Sequence, residues 1–217
     1  MHTFREVETA AYCPRKLYYR RREGDPDIPD GVGDVRQLAF EYDELRSVDA
    51  ALLAAPIEVS PGTYRERLGR LARRFEYWDA LVDPPNRDVL LTGRECRGVA
   101  HKVLEDPLVP ALAFAGEPPD EGVWEPQTVR LVAAAKALSW ERETPVERAV
   151  AEYPAYGVVR EIDLTTRCKA AYRKAVRTAD TVDGPPSRID SDAKCAPCEY
   201  REDCGTKTRS LASMLGD

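Results

Sequence analysis

Apolar residues recur at intervals of three and four positions in several parts of the chain, and this spacing predicts amphipathic helices. The helices expected on this basis cover a short segment before Pro14 and residues 35–54, 63–77, 126–141 and 165–178. Short apolar runs bounded by Gly, Pro or Asp predict strands at residues 89–92, 98–104, 109–114, 146–153 and 157–163. Because helices and strands are interleaved, the pattern indicates a mixed α/β fold with helices packed on a central sheet.

The order of these elements divides the chain of 217 residues into three parts. The length is typical of one core with a modest appendage, so we expect a single domain over residues 1–217. Within it the pattern predicts a helical region at 1–84, an α/β core at 85–182 and a cysteine-containing segment at 183–217.

Composition restricts the class of protein. Hydrophobic residues make up 43% of the chain and charged residues 32%, as in globular proteins. No apolar run reaches the roughly 18 residues that a membrane span needs, and the first residues lack the apolar core of a signal peptide. We therefore expect a cytoplasmic protein with no membrane partner. The net charge of −6 argues against a generally basic nucleic-acid-binding surface.

The cysteines form the most specific pattern in the sequence. Cys195 and Cys198 are a Cys-x-x-Cys pair, and Cys204 follows after five intervening residues. Thiolates at this spacing converge on one metal centre, but a site of four thiolates needs another ligand from elsewhere in the chain. Cys13 is the candidate for that ligand, and it would join the two ends of the chain.

Other interpretations of the cysteines are open on chemical grounds alone. Zinc bound by the same four residues fits the spacing equally well. The C-terminal cysteines are unligated in a second alternative, and in a third the Cys-x-x-Cys pair is a redox pair, although no thioredoxin-like strand precedes it. Cys96 and Cys168 stand apart from this group, and we expect them to be buried as small apolar residues.

Two segments, residues 12–19 (YCPRKLYY) and 194–204 (KCAPCEYREDC), resemble the CRISPR-associated RecB-like exonuclease family. Its members carry a [4Fe–4S] cluster on one N-terminal and three C-terminal cysteines around a PD-(D/E)XK nuclease core. The order of elements between the cysteines matches too, so the resemblance extends over nearly the whole chain. It implies a RecB-like, restriction-endonuclease-like fold, whose ends are joined by a [4Fe–4S] cluster on Cys13, Cys195, Cys198 and Cys204.

The nuclease centre departs from the pattern of that family. Its members bind two metal ions with a His on an early helix, the Asp of a Gly-x-x-Asp strand motif and the acid of Glu-x-Lys on the next strand. Here the strand motif at residues 98–101 ends in His101, the strand at 109–114 has neither acid nor lysine, and no histidine lies on the early helix. The family's Gln-x-x-x-Tyr helix motif is reduced to Gln127, followed by Leu131.

These departures predict a protein that keeps the fold and the cluster but has lost ordinary nuclease chemistry. His101 is expected to be a strand residue that hydrogen-bonds to a neighbour, since one imidazole is a poor ligand for Mg²⁺. Mg²⁺ or Mn²⁺ is then needed only if nuclease activity persists. An active exonuclease with displaced ligands, with Asp106 and Glu117 as the first candidates, is an alternative. We expect the acids of the following loop to be a solvated surface: Glu117, Asp120, Glu121 and Glu125.

The resemblance also implies a role in DNA processing for a chain without catalysis. It would act as a DNA- or partner-binding accessory in CRISPR adaptation or repair, with single-stranded DNA, DNA ends, CRISPR adaptation proteins or a helicase as partners. The candidate contacts to phosphates are Arg15, Lys16, Arg20 and Arg21, with Tyr18 and Tyr19 as faces for bases. In the alternative, these tyrosines belong to the core and the cations pair with acids. A third class is a structural interaction module.

Overall fold

The structure is a computed structural model that describes residues 1–24 and 29–205. Within this part of the chain, one mixed sheet contains β1 (His2–Thr3), β2 (Asn86–Thr92), β3 (Cys96–Glu105), β4 (Leu108–Ala113), β5 (Arg148–Tyr153) and β6 (Val158–Asp163). One edge of β3 pairs antiparallel with β2, and its other edge pairs with β1 near its start and with β4 near its end. The sheet continues from β4 through the parallel β5 to the antiparallel β6.

The helices lie between the strands and after the last of them. They are α1 (Phe4–Tyr12), α2 (Pro14–Glu23), α3 (Val32–Gln37), α4 (Tyr42–Ser47), α5 (Asp49–Ala54), α6 (Pro61–Arg74), α7 (Trp78–Val82), α8 (Glu125–Glu141), α9 (Thr166–Thr181) and α10 (Asp192–Cys195). Short 3-10 turns occupy Leu38–Phe40 and Pro154–Tyr156. In the described ranges there is no helix with the length and apolar character that crossing a bilayer requires.

Two hydrophobic cores lie on the two faces of the sheet. Helices α1, α8 and α9 cover one face, and residues of α4 to α7 cover the other. Consecutive residues of β4 belong to different cores, Leu112 to the first and Ala113 to the second, because side chains alternate along a strand. The predicted α/β class, with a mixed central sheet flanked by helices, is therefore confirmed.

The long helix predicted at residues 35–54 is wrong. The chain there forms α3, a 3-10 turn, α4 and α5, because it leaves helical geometry at Glu41 (φ −121°) and becomes extended at Val48 (φ −110°, ψ 113°). The helix predicted at 63–77 also ends early, at Arg74. Apolar periodicity shows which positions face a core, and several short helices on one core preserve that periodicity across their junctions.

The N-terminal helices have clear local causes. Thr3 and Glu6 form a reciprocal capping box at the start of α1, with Thr3 Oγ1 accepting from Glu6 N at 3.0 Å and Glu6 accepting from Thr3 N at 2.8 Å. Cys13 then adopts an extended conformation, and Pro14 begins α2 at the first helical position, where it has no hydrogen bond to lose. Cys13 therefore lies at the corner between two helices.

Candidate functional site

Tight turns bring the C-terminal cysteines together. Cys195 ends α10, with its N–H donating to Ser191 O at 3.0 Å. Cys198 N donates to Cys195 O at 3.2 Å, and Cys204 N donates to Tyr200 O at 2.8 Å. The backbone thus folds back on itself twice within ten residues, so that the three side chains share one side of the segment.

Side chains from both ends of the chain hold this segment against α1 and α2. Tyr12 OH donates to Lys194 O at 3.2 Å, and Lys194 Nζ donates to Tyr12 O at 3.1 Å. Tyr19 stacks on Tyr200 with 5.5 Å between ring centroids, and its hydroxyl donates to Asp203 O at 3.0 Å. These contacts join two segments that are more than 180 residues apart in the sequence.

As a result, Cys13, Cys195, Cys198 and Cys204 all line one cavity between the two ends of the chain. Five cationic side chains line the same cavity: Arg15, Lys16, Arg188, Lys194 and Arg201. Burial raises the pKa of Cys198, and burial together with the neighbouring cysteines raises the pKa of Tyr12. Among residues 1–24 and 29–205, no three His, Cys, Asp or Glu side chains form a group arranged to hold one metal ion.

The two remaining cysteines lie elsewhere. Cys96 is 2% exposed in the core, where burial raises the pKa of its thiol to about 11 and Tyr172 OH lies 3.4 Å away. Cys168 is only half-buried at the start of α9, with Thr165 Oγ1 at 3.1 Å. The expectation of burial is therefore confirmed for Cys96 and holds only in part for Cys168, which packs against the first core but is partly exposed in the first turn of α9.

His101 lies where the pairing between β3 and β4 ends. The last backbone pair on this side is Lys102 with Ala111, and the His101 imidazole then accepts a hydrogen bond from Ala113 N at 2.7 Å through Nδ1. The residue is 6% exposed, and burial, followed by the charges of Arg130, Arg36 and Lys102, lowers its pKa to about 3. His101 is thus a neutral side chain that replaces a lost contact of the sheet.

The neighbours of His101 on β4 and α8 are apolar or already bonded. Leu112 and Phe114 are buried in the first core. The guanidinium of Arg130 lies 5.6 Å from the Phe114 ring and pairs with Glu8 at 3.2 Å. Gln127 Oε1 accepts from Tyr153 OH at 2.5 Å.

The acids that were candidates for displaced metal ligands lie on the surface. Asp106 is in the exposed turn between β3 and β4; Glu117, Asp120 and Glu121 are exposed in the loop before α8, and Glu125 is exposed at the first position of α8. The acidic loop is therefore solvated, as expected.

A buried ion pair on the other face of the sheet was missed by the sequence reasoning. Lys102 Nζ donates to Glu152 Oε2 at 2.7 Å, and both side chains are fully buried. Lys102 also donates to the carbonyls of Ala39 at 2.6 Å and Leu81 at 2.9 Å. A lysine and a glutamate inside apolar strands were the available signal, since buried charges require partners.

The basic residues of α2 have several different environments. Arg15 donates to Pro186 O at 2.9 Å, and Lys16 pairs with Glu199 at 2.7 Å beside the cysteines. Arg20 donates to Thr9 Oγ1 at 2.8 Å, whereas Arg21 bonds Glu6 and Ala179 O on the side of α9. Tyr19 is buried, with Tyr18 packed edge-on against it at 5.3 Å. DNA contact by these cations stays a prediction, while Tyr19 belongs to the packing between the two chain ends.

Comparison with known proteins does not place this chain in a family. The sequence matches no protein-family model and no curated protein. Among solved structures, the chain resembles the one titled "Crystal structure of SSO0001", with a TM-score of 0.43 and 14% sequence identity. The similarity covers 93% of this chain and 86% of that chain.

Proposed function

We propose that this chain is a RecB-like iron–sulfur protein of DNA processing that has lost hydrolytic activity. It acts as an accessory that binds DNA or a partner, and the family resemblance suggests CRISPR adaptation proteins or a repair helicase as that partner. The combination of two features carries the proposal. Cysteines from both ends of the chain line one cavity. At the sequence position where the resembled family has a metal-binding Asp, this chain has His101, which is hydrogen-bonded to Ala113 N and lies among apolar side chains.

The donor set suits a [4Fe–4S] cluster held by Cys13, Cys195, Cys198 and Cys204. In such a cluster each thiolate binds an iron atom, so four sulfurs spread around one cavity match its needs. The five cations of the cavity wall would offset the negative charge of thiolates bound to a cluster. A bound cluster supplies a covalent connection between the two ends of the chain. Zinc on the same cysteines is the alternative cofactor.

The chemistry of His101 supports the loss of hydrolysis. Its Nδ1 lone pair is used by Ala113 N–H, so the ring proton lies on Nε2 and that nitrogen is not a metal ligand without a tautomer change. Among the described residues, Glu8 is the acid that contacts the neighbouring Arg130. The two side chains form an ion pair, so the charge of Glu8 is already compensated. Two-metal hydrolysis requires several oxygen ligands around its ions, and these side chains do not offer them.

A nuclease assay tests the proposal. Anaerobically purified protein that contains its cluster is incubated with Mn²⁺ and end-labelled single-stranded DNA, and we expect no degradation above that of a His101→Ala variant. Efficient degradation that disappears in His101→Ala contradicts the proposal. Degradation that disappears in Asp106→Ala or Glu117→Ala instead assigns the activity to displaced ligands and contradicts it as well.

A further inference from the structure

A cleft of about 500 Å³ lies near the start of β3, away from His101. The turn between β2 and β3 forms one wall, and the last turns of α8 and the middle of α9 form the others. Cys96, the first residue of β3, lines the cleft five residues before His101, which is roughly 17 Å along a strand. The cleft shares no lining residue with the cysteine cavity, so it is a separate feature of the molecule.

Close packing of the β2–β3 turn on α8 fixes the shape of this cleft. A Cβ atom at Gly93 would lie 2.8 Å from Ala137 Cα, so the turn approaches the helix as closely as glycine permits. Thr92 N also donates to Glu141 Oε1 at 2.5 Å, which ties the end of β2 to the last turn of α8. These contacts place the turn residue Arg94 beside the part of α8 that lines the cleft.

Two cations of the cleft wall have no acidic partner in the described part of the chain. Arg94 makes neither an ion pair nor a hydrogen bond there, and Lys136 lies only over the ring of Tyr172, 5.7 Å from its centroid. The carboxylate of the wall, that of Glu95, accepts a hydrogen bond from Tyr172 OH at 3.1 Å. The lining therefore carries a net positive charge, and both cations are available to an anionic ligand.

An exposed indole lies in the same wall. Trp140 is 60% exposed, and its Nε1 donates to none of the residues that the structure describes. Lys136 lies four residues earlier on α8, so the two side chains are on the same side of the helix. A flat aromatic face beside unpaired cations suits a ligand that has both a planar ring and an anionic group.

We propose that this cleft binds a purine nucleoside phosphate, with the base stacked on Trp140 and the phosphates on Arg94 and Lys136. An amino group of the base donates to Glu95 Oε1, since Tyr172 uses the other carboxylate oxygen. The volume of the cleft is in the range of small-molecule sites. The proposal goes beyond the proposed function and does not depend on it, because neither the cluster nor a DNA strand takes part.

Isothermal titration calorimetry of the full chain with ATP, in the presence of EDTA, measures this binding. We expect Trp140→Ala to weaken ATP binding at least about fivefold and Trp140→Phe to retain most of the affinity, since stacking of a base on an aromatic ring contributes this much. Trp124→Ala is the matched control, because Trp124 is 51% exposed and does not line the cleft.

The phosphate contacts are tested separately with Lys136→Gln. We expect this variant to bind ATP about tenfold more weakly, because a hydrogen bond to a charged group is lost, and to bind adenosine unchanged. Arg74→Gln, at an exposed arginine of α6, should change neither affinity. The side chains of Trp124, Lys136, Trp140 and Arg74 are all exposed, so thermal denaturation should show the same stability for every variant.

Several results would overturn the proposal. No measurable binding of ATP or GTP is one, and equal losses in Trp140→Ala and Trp124→Ala are another. Inorganic triphosphate that binds as tightly as ATP also contradicts it, since the base then contributes nothing. Displacement of ATP by an equimolar oligothymidylate assigns the cleft to strand binding instead. These readouts involve neither DNA cleavage nor iron content, so a negative result leaves the proposed function standing.

Discussion

At the scale of single residues, burial decides what His101 can do. Its imidazole accepts from Ala113 N, and its pKa of about 3 lies far below the usual 6.5. Between these two pH values the unfolded chain takes up a proton that the folded chain does not. Stability therefore falls as the pH is lowered from 6.5 towards 3, by about 1.4 kcal/mol per pH unit from this residue.

A direct titration of the imidazoles checks this behaviour. The chain has two histidines, so His101→Asn assigns both ring signals in an NMR spectrum. We expect the His101 signal to stay constant from pH 8 to about pH 5, since a group with a pKa of about 3 is still neutral there. A midpoint for His101 between pH 6 and 7 contradicts its assignment as a buried neutral acceptor.

The Lys102–Glu152 pair gives a second prediction at this scale. Burial lowers the pKa of Lys102 and raises that of Glu152, so each partner depends on the other for its charged state. Lys102→Met leaves a buried carboxylate unpaired, and we expect a loss of about 3–5 kcal/mol in the free energy of unfolding. Replacing both residues, as Lys102→Met with Glu152→Leu, should recover most of it.

Chemical denaturation of the variants measures these changes. Arg70→Met is the control, because it removes an ion pair with Glu66 whose side chains are 56% and 68% exposed, and such pairs contribute below about 1 kcal/mol. If the double variant is no more stable than Lys102→Met alone, the unpaired charge of Glu152 is not the cause of the lost unfolding free energy.

At the scale of elements, the corner between α1 and α2 at Cys13 and the turns around Cys195 position the proposed ligands of the cluster. Removing one ligand of a cluster on these elements disconnects the chain ends. We expect Cys13→Ala to lose visible absorbance and bound iron and to become sensitive to proteases within residues 183–205. Cys96→Ala, outside the cavity, should retain both properties. Equal iron contents in the two variants contradict the role of Cys13.

Buried strands and the long helix α8 were predicted accurately, whereas the short helices before the core were not, for a physical reason. The strands predicted at 98–104 and 109–114 are β3 (Cys96–Glu105) and β4 (Leu108–Ala113), because buried strands appear as short apolar runs between turns. The region at 35–54 instead divides into several helices on one core, which periodicity alone does not reveal.

The contacts that build the sites depend on tertiary order, which the sequence does not display. Lys102 on β3 reaches Glu152 on β5 across β4, where the intervening residues are the small Ala111 and Ala113. Trp124 likewise lines the same cleft as Arg5 and Arg20 only because α8 packs on α1. By contrast, the cysteine spacing and the absent acids were visible directly, since they are properties of local sequence.

At the scale of the whole molecule, the two ends of the chain form a single unit beside the sheet. Their contacts create the cysteine cavity and one wall of a neighbouring cleft, and Tyr12, Lys16 and Lys194 line both. The proposed function depends on this unit more than on any strand. We expect a metal centre at this place to stabilise the fold, because its ligands come from both ends of the chain.

The most direct test of the account is the metal content of anaerobically purified protein. We predict a coloured preparation with about four iron atoms and matching acid-labile sulfide per chain, as a [4Fe–4S] cluster requires. A colourless preparation that contains zinc and no iron would contradict the iron–sulfur assignment.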